Sequence, residues 1–343
     1  MEKQFLKEYQ SLNRKKIFII LGLGILLLLG IHIAMFIGAF DINLNNIKDF
    51  WTDENSTVNK VITRIRLPRI FASVLTGAVL SVSGVVSQSL MRNPLASPFT
   101  LGISSSAAFG ASFAILFLVD KMDSGNVGQY LIAFSSFVWS IVSISLIIFL
   151  SKLKNSNPQT IILSGVVLSS LFGAGISALQ YFANDVQLAN IVFWSFGDMG
   201  RATWKDILLV TICFLLGLAY FIKKSWSYNS LKTGDDYAKS LGINPEKIRI
   251  EGMVIASLMT AVTVAFYGMI GFVGLIGPHI MRRIIGNNEV FLIPASAVFG
   301  ALLLLLADTF ARTIISPIIL PVGIVTSFLG APLFIYLLIK NKN

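Results

Sequence analysis

Between Arg66 and Gly102 the chain sets Asn93-Pro94-Leu95-Ala96-Ser97-Pro98 between two long apolar runs, and this punctuation constrains the fold more than any other feature. Proline interrupts helical hydrogen bonding, so a helix that leaves a bilayer, turns tightly and re-enters needs such a break. The two runs belong to a series. A bilayer core takes about 20 apolar residues per helix, and ten segments of roughly that length follow one another: residues 17–39, 69–90, 99–119, 130–151, 160–182, 203–222, 248–268, 270–284, 290–310 and 322–340. With 55% hydrophobic and 13% charged residues, the 343-residue chain reads as an all-α polytopic membrane protein of about ten transmembrane helices. Residues 1–343 form one membrane domain, with 1–16 as a cytoplasmic N-terminal segment and 223–247 as the longest cytoplasmic loop.

Arg14, Lys15 and Lys16 precede the first segment as in a secretory leader, but its apolar run is longer than a leader core and no small-x-small pattern precedes Asp41, so the helix is expected to be retained. An even number of helices puts both termini on one side. Assigning that side to the cytoplasm places 18 of the 27 cations inside against 7 acidic residues, and 9 outside against 10. This satisfies the positive-inside bias, so the net charge of +10 is topological and not a nucleic-acid footprint. One cysteine, Cys213, expected as a buried thiol, and two histidines build neither a disulfide nor a metal cluster.

The exceptions to the charge bias are informative. Arg64, Arg66 and Arg69 crowd the outer mouth of the second segment, and Arg312 lies past the outer end of the ninth. A guanidinium fork matches a carboxylate, which suits these residues to docking an acidic partner surface; snorkelling, or pairing with Asp53 and Glu54, is the other reading. Asp308 and Arg312, four apart, can pair on one helix face.

The fifth segment is rich in small residues (Ser164, Gly165, Ser169, Ser170, Gly173, Gly175, Ser177), as is the second (Gly77, Ser81, Ser83, Gly84, Ser87). Small residues let helices approach closely, and the hydroxyls can alternatively line a polar route. Gln88, costly in lipid, is expected to face a turn or a pathway. Residues 271–283 are too short and too interrupted by Gly and Pro for an ordinary span, a mark of moving or path-lining parts of transporters. His279 lies there without a partner at ligand spacing. Residues 234–243 read as a short helix ended by glycine, fit either to seat in a groove on a soluble partner or to serve as a solvated connector.

An energy source is missing: no Gly-Lys dipeptide occurs, so there is no P-loop, and ATP, if used, belongs to another chain. Intramembrane carboxylates are scarce, which weakens an ion-coupled secondary transporter, and no paired His/Glu or Ser/His/Asp arrangement supports an intramembrane enzyme.

Two blocks together resemble the FecCD family, the permeases of type II ABC importers for iron-siderophores, haem or cobalamin. The first comprises Arg66-Leu67-Pro68-Arg69, Gly77-Ala78, Ser83-Gly84, Gln88, Arg92-Asn93-Pro94-Leu95-Ala96, Pro98 and Leu101-Gly102. The second comprises Gly271-Phe272-Val273-Gly274-Leu275, Pro278-His279, Leu306-Ala307-Asp308, Ala311-Arg312, Leu320-Pro321-Val322-Gly323-Ile324-Val325-Thr326 and Gly330-Ala331-Pro332. The likeness runs from Arg66 to the C-terminus.

The resemblance implies a permease subunit, not an enzyme, paired with a second permease subunit that is identical or related. It implies two cytoplasmic ABC ATPases that bind the ATP and Mg, an extracytoplasmic solute-binding protein, surrounding membrane lipid and no nucleic acid. Docking of the binding protein falls on Arg66, Arg69 and Arg312; the cytoplasmic gate on Asn93, Leu95, Asn157 and Thr160; the path-lining fifth helix carries Ser164, Ser169, Gly173 and Ser177; and coupling to the ATPase falls on Asp235, Asp236, Ala238, Leu241 and Gly242. No cofactor or metal is expected on this chain. A ferric siderophore is the expected cargo, with cobalamin, haem and oxyanions as alternatives, and the setting is the cytoplasmic membrane of a bacterium or archaeon. Gly277 replaces a larger apolar residue common in the family, which is expected to loosen the eighth segment.

Overall fold

The computed structural model describes residues 2–38, 51–53, 56–119, 125–152 and 157–340; Glu54 and Asp41 lie outside them. Ten helices occupy the ten predicted places: α1 (Glu2–Phe36), α2 (Leu67–Met91), α3 (Ile103–Phe117), α4 (Gly125–Lys152), α5 (Pro158–Phe182), then α7, α9, α10, α11 and α12 as bounded below. The later members are α7 (Trp204–Thr233), α9 (Pro245–Tyr267), α10 (Val273–Ile285), α11 (Glu289–Thr313) and α12 (Val322–Lys340), with α6 (Asp185–Ser195) and α8 (Asp235–Ser240) between them. No strand occurs among the described residues.

Hydrocarbon cannot solvate the free N–H groups of a helix start, so side chains do it. Asn157, Asn184, Thr203, Asn244 and Asn288 each accept a backbone N–H at the start of α5, α6, α7, α9 and α11.

Two expectations change. α6 was not foreseen, because its 11 residues follow α5 after only Ala183 and Asn184, and the apolar pattern reads across that break. The cytoplasmic loop expected over 223–247 is far shorter, since α7 continues to Thr233 and α8 begins at Asp235. α7 can extend because Tyr228 and Leu231 are buried against the bundle, which supports the helix beyond the bilayer. Cys213 is half-buried.

α2 is the central post, buried from Pro68 to Met91 apart from a few outward side chains. Its small residues are packing devices. A Cβ on Gly77 would lie 2.1 Å from the carbonyl oxygen of Gly300 on α11, and one on Gly84 would lie 1.8 Å from that of Gly274 on α10. The helix backbones therefore touch, which is how helices associate where no hydrophobic drive separates lipid from side chain. Gly277 is equally committed: a Cβ there would lie 2.2 Å from Ser81 Oγ, so this glycine tightens α10 against α2 instead of loosening it.

Candidate translocation path and coupling site

At the end of the bundle where α2 begins, Asp308, on α11, is fully buried and holds two arginines. Arg69, in the first turn of α2, donates from Nε at 3.0 Å to both carboxylate oxygens and from Nη2 at 2.8 Å, and Arg312 Nε stands 3.3 Å from Oδ2. Arg69 Nη2 also lies 3.5 Å from Asp198. α1 ends here, and its last carbonyls lack helical partners. Arg66 donates to Met35 O at 2.6 Å, and Arg312 to Ile37 O at 3.3 Å and Ala34 O at 3.5 Å.

This corrects the picture of three outward-facing forks. Arg66, Arg69 and Arg312 are only 4–5% exposed, because a cation at the membrane edge is stabilised by an internal carboxylate and by free helix-end carbonyls. The expected Asp308–Arg312 pair is present, and Arg69 joins it. Arg64 is the exposed arginine of this group.

α5 carries no charged residue along its length. Leu163, Val166, Val167, Ser170, Leu171, Ser177 and Tyr181 recur at helical spacing on one exposed face. Ser177 belongs to that open face and Gly173 to its edge, whereas Ser164 is buried and Ser169 points toward α3. The hydroxyls of Ser169, Ser170 and Ser177 donate to carbonyls one turn back. Near its N-terminal end α5 meets the turn between α2 and α3: a Cβ on Gly165 would lie 2.7 Å from Leu101 Cα. In that turn Asn93 Oδ1 accepts the Leu95 N–H at 2.9 Å and Leu95 stays exposed. Asn157 caps α5 and Thr160 is half-buried one turn on, so the four residues predicted for a gate lie at the same end of the bundle, Asn93 and Leu95 on the turn and Asn157 and Thr160 at the start of α5.

In α8 the predicted residues separate by face. Ala238 is fully buried and Asp235 turns inward, where Arg249 Nη2 reaches its two oxygens at 3.0 and 3.2 Å and Arg92 also pairs with it. Asp236 is fully outside, 3.8 Å from Lys239, and Leu241 is exposed with Tyr237 one turn before it. Gly242, at φ +75°, reverses the chain so that Ile243 N can bond Ala238 O at 3.0 Å. Tyr237 went unnoticed in the sequence; its spacing of four from Leu241 is the signal that marks an apolar pair.

Two further polar contacts were not legible. Gln88 is buried, and its Oε1 accepts from Arg282 Nη1 at 2.7 Å, tying α2 to α10. Glu289, fully buried at the start of α11, accepts Ser89 Oγ at 2.6 Å and pairs with Lys232 of α7. In the sequence Glu289 looks like an ordinary first-turn acid facing its helix dipole. His279 Nε2 has no hydrogen-bond partner, and no group of three or more His, Cys, Asp or Glu able to hold a metal occurs among the described residues.

A multi-pass bundle with an uncharged open helix face and a short helix exposing an apolar pair is the architecture expected of a transport permease. Residues 26–340 match the FecCD transport family, and the chain belongs to that family of ABC importer permeases. It is 48% identical over 97% of its length, and 97% of the relative's, to a Methanocaldococcus jannaschii protein named as an ABC transporter permease. It is 34% identical to the hemin transport system permease of Yersinia pestis, covering 94% of this chain and 96% of that one. Other relatives are named for import of molybdate, iron(III)-citrate and vitamin B12. A solved transporter described as of metal-chelate type, in an inward-facing conformation, superposes with a TM-score of 0.82 at 32% identity, covering 95% of this chain and 99% of that chain. These relatives are permease subunits and not enzymes.

Proposed function

We propose that this permease carries an iron(III)-siderophore complex across the cytoplasmic membrane of a bacterium or archaeon. It works as one of two permease subunits, with two ATPases on the cytoplasmic side binding ATP and Mg, and with a solute-binding protein outside. Both termini then face the cytoplasm. The observation that carries the reading is the exposed face of α5: largely apolar, without a charge, and with the hydroxyls of Ser170 and Ser177 already bonded to their own helix. Such a wall passes a bulky, coordinatively saturated chelate without holding it, whereas a small oxyanion needs free donors to replace its water. Haem and cobalamin, for which relatives are named, share the bulk and remain the second reading.

Alternating access then has these parts. Tyr237 and Leu241 seat α8 in an ATPase groove, nucleotide binding shifts α8, and the turn carrying Asn93 and Leu95 opens or closes against Asn157 and Thr160. The binding protein docks at the outer rim near Arg64, over a platform whose shape Arg66, Arg69 and Arg312 maintain. The deciding experiment identifies the binding protein that co-purifies and titrates it with ferric siderophore, haem, cobalamin and molybdate. Tightest binding of the ferric siderophore, with uptake of the iron label by the reconstituted complex, supports the reading; exclusive binding of molybdate ends it.

A further inference from the structure

α2 ends in a way that leaves a bond to be filled. Its penultimate carbonyl, Leu90 O, should accept the N–H four residues on, but that residue is Pro94, which has none. Arg249 of α9, 2% exposed, supplies the donor: Nε bonds Leu90 O at 3.2 Å. The same guanidinium holds Asp235 with Nη2. Asp235 also pairs with Arg92, the residue at φ +50° that closes α2 and immediately precedes Asn93. The first residue of α8 is thus fastened twice to the end of α2, once through Arg249 to its backbone and once through Arg92 at its pivot. By contrast, the covalent link from α7 to α8 is Gly234 at φ +140°, with open space around its Cα.

Resting on the importer reading, we propose that Asp235 is the positioning residue that converts displacement of α8 into movement of the Asn93–Leu95 turn. Charge-assisted bonds of this kind are directional and short, so moving α8 moves Arg92 and Arg249 with it. A glycine joint cannot do this, since it bends. The outer residues Asp236, Tyr237 and Leu241 face the ATPase, and Asp235 faces the gate.

The test uses the full complex of permease and ATPase in lipid nanodiscs, in a Cys213→Ala background with Leu95→Cys as reporter. A water-soluble maleimide measures the labelling rate without nucleotide and with ATP and vanadate. With Asp235 intact the two rates differ by about tenfold, within the usual range of coupling between sites. Asp235→Ala removes the difference while the ATPase still co-purifies, and Asp235→Glu, which retains the carboxylate, restores it. Arg92→Ala, a change at the surface, gives a second reading if Asp235→Ala does not assemble: it shrinks the difference. Equal nucleotide response in the parent, Asp235→Ala and Arg92→Ala proteins overturns the inference and leaves the importer reading standing. A parent complex whose Leu95→Cys labelling ignores nucleotide overturns the reading of the Asn93–Leu95 turn as the gate, and this inference with it.

Discussion

Arg69 and Asp308 lie 239 residues apart in the chain and 2.8 Å apart in space. Their contact, with Arg312 on the other side of the carboxylate, fastens α2 to α11 at one end of the bundle, and Ser89 with Glu289 fastens the same two helices at the other. Between these polar latches Gly77 and Gly300 let the backbones meet. α2 and α11 are therefore held together at both ends and in the middle of their contact.

Replacing Asp308 by Ala leaves two buried guanidinium groups without their carboxylate, and stability falls by about 3–5 kcal/mol. Unfolding of the detergent-solubilised protein measures this. Replacing Arg312 alone costs less, because Arg69 still neutralises Asp308 through both of its oxygens.

Gly300→Val forces a branched side chain into the backbone of α2 and costs about 1–3 kcal/mol, or prevents assembly of the bundle. Gly173→Ala is the control. A Cβ there meets nothing within 4 Å, so the substitution is neutral or stabilises by up to about 1 kcal/mol.

Ser177→Glu separates a path-lining face from a lipid-facing one. A charge in a watered path leaves stability within about 0.5 kcal/mol of the parent and lowers uptake, whereas a charge against lipid costs about 2.5–3.5 kcal/mol. Unfolding and uptake measured on the same variant decide between them.

Tyr237→Ala combined with Leu241→Ala weakens retention of the ATPase by about 2 kcal/mol or more, most of it from Tyr237, since tyrosine is among the residues that carry most interface energy. Affinity measured in detergent reports it. Asp236→Ala has a far smaller effect, because its pair with Lys239 is fully solvated.

Arg64→Glu lowers the association rate of the binding protein, and the difference shrinks as salt rises. Arg66→Glu acts by a different route: it removes the cap on Met35 O and lowers stability even without the binding protein.

How much of this was legible follows from the range of the forces involved. Helix number and place were readable, because in a bilayer each span must satisfy its own backbone and cover itself with apolar side chains, a condition written locally along the chain. The same holds for the break at Asn93-Pro94 and for the family motif. α6 escaped because only Ala183 and Asn184 part it from α5, and Tyr237 because a pair of residues is a weak pattern.

What only the tertiary structure decided is direction. The sequence by itself determined that arginines gather at the mouth of α2, that serines and glycines line α5, and that acids open α8. Only the packed bundle determined that Arg66, Arg69 and Arg312 turn inward, that Ser164 faces protein while Ser177 faces open space, and that Asp235 and Asp236 point opposite ways. The physical reason is that a buried charge goes where its counter-charge is. Asp308 and Arg249 reach Arg69 and Asp235 through space, from helices that no local spacing connects.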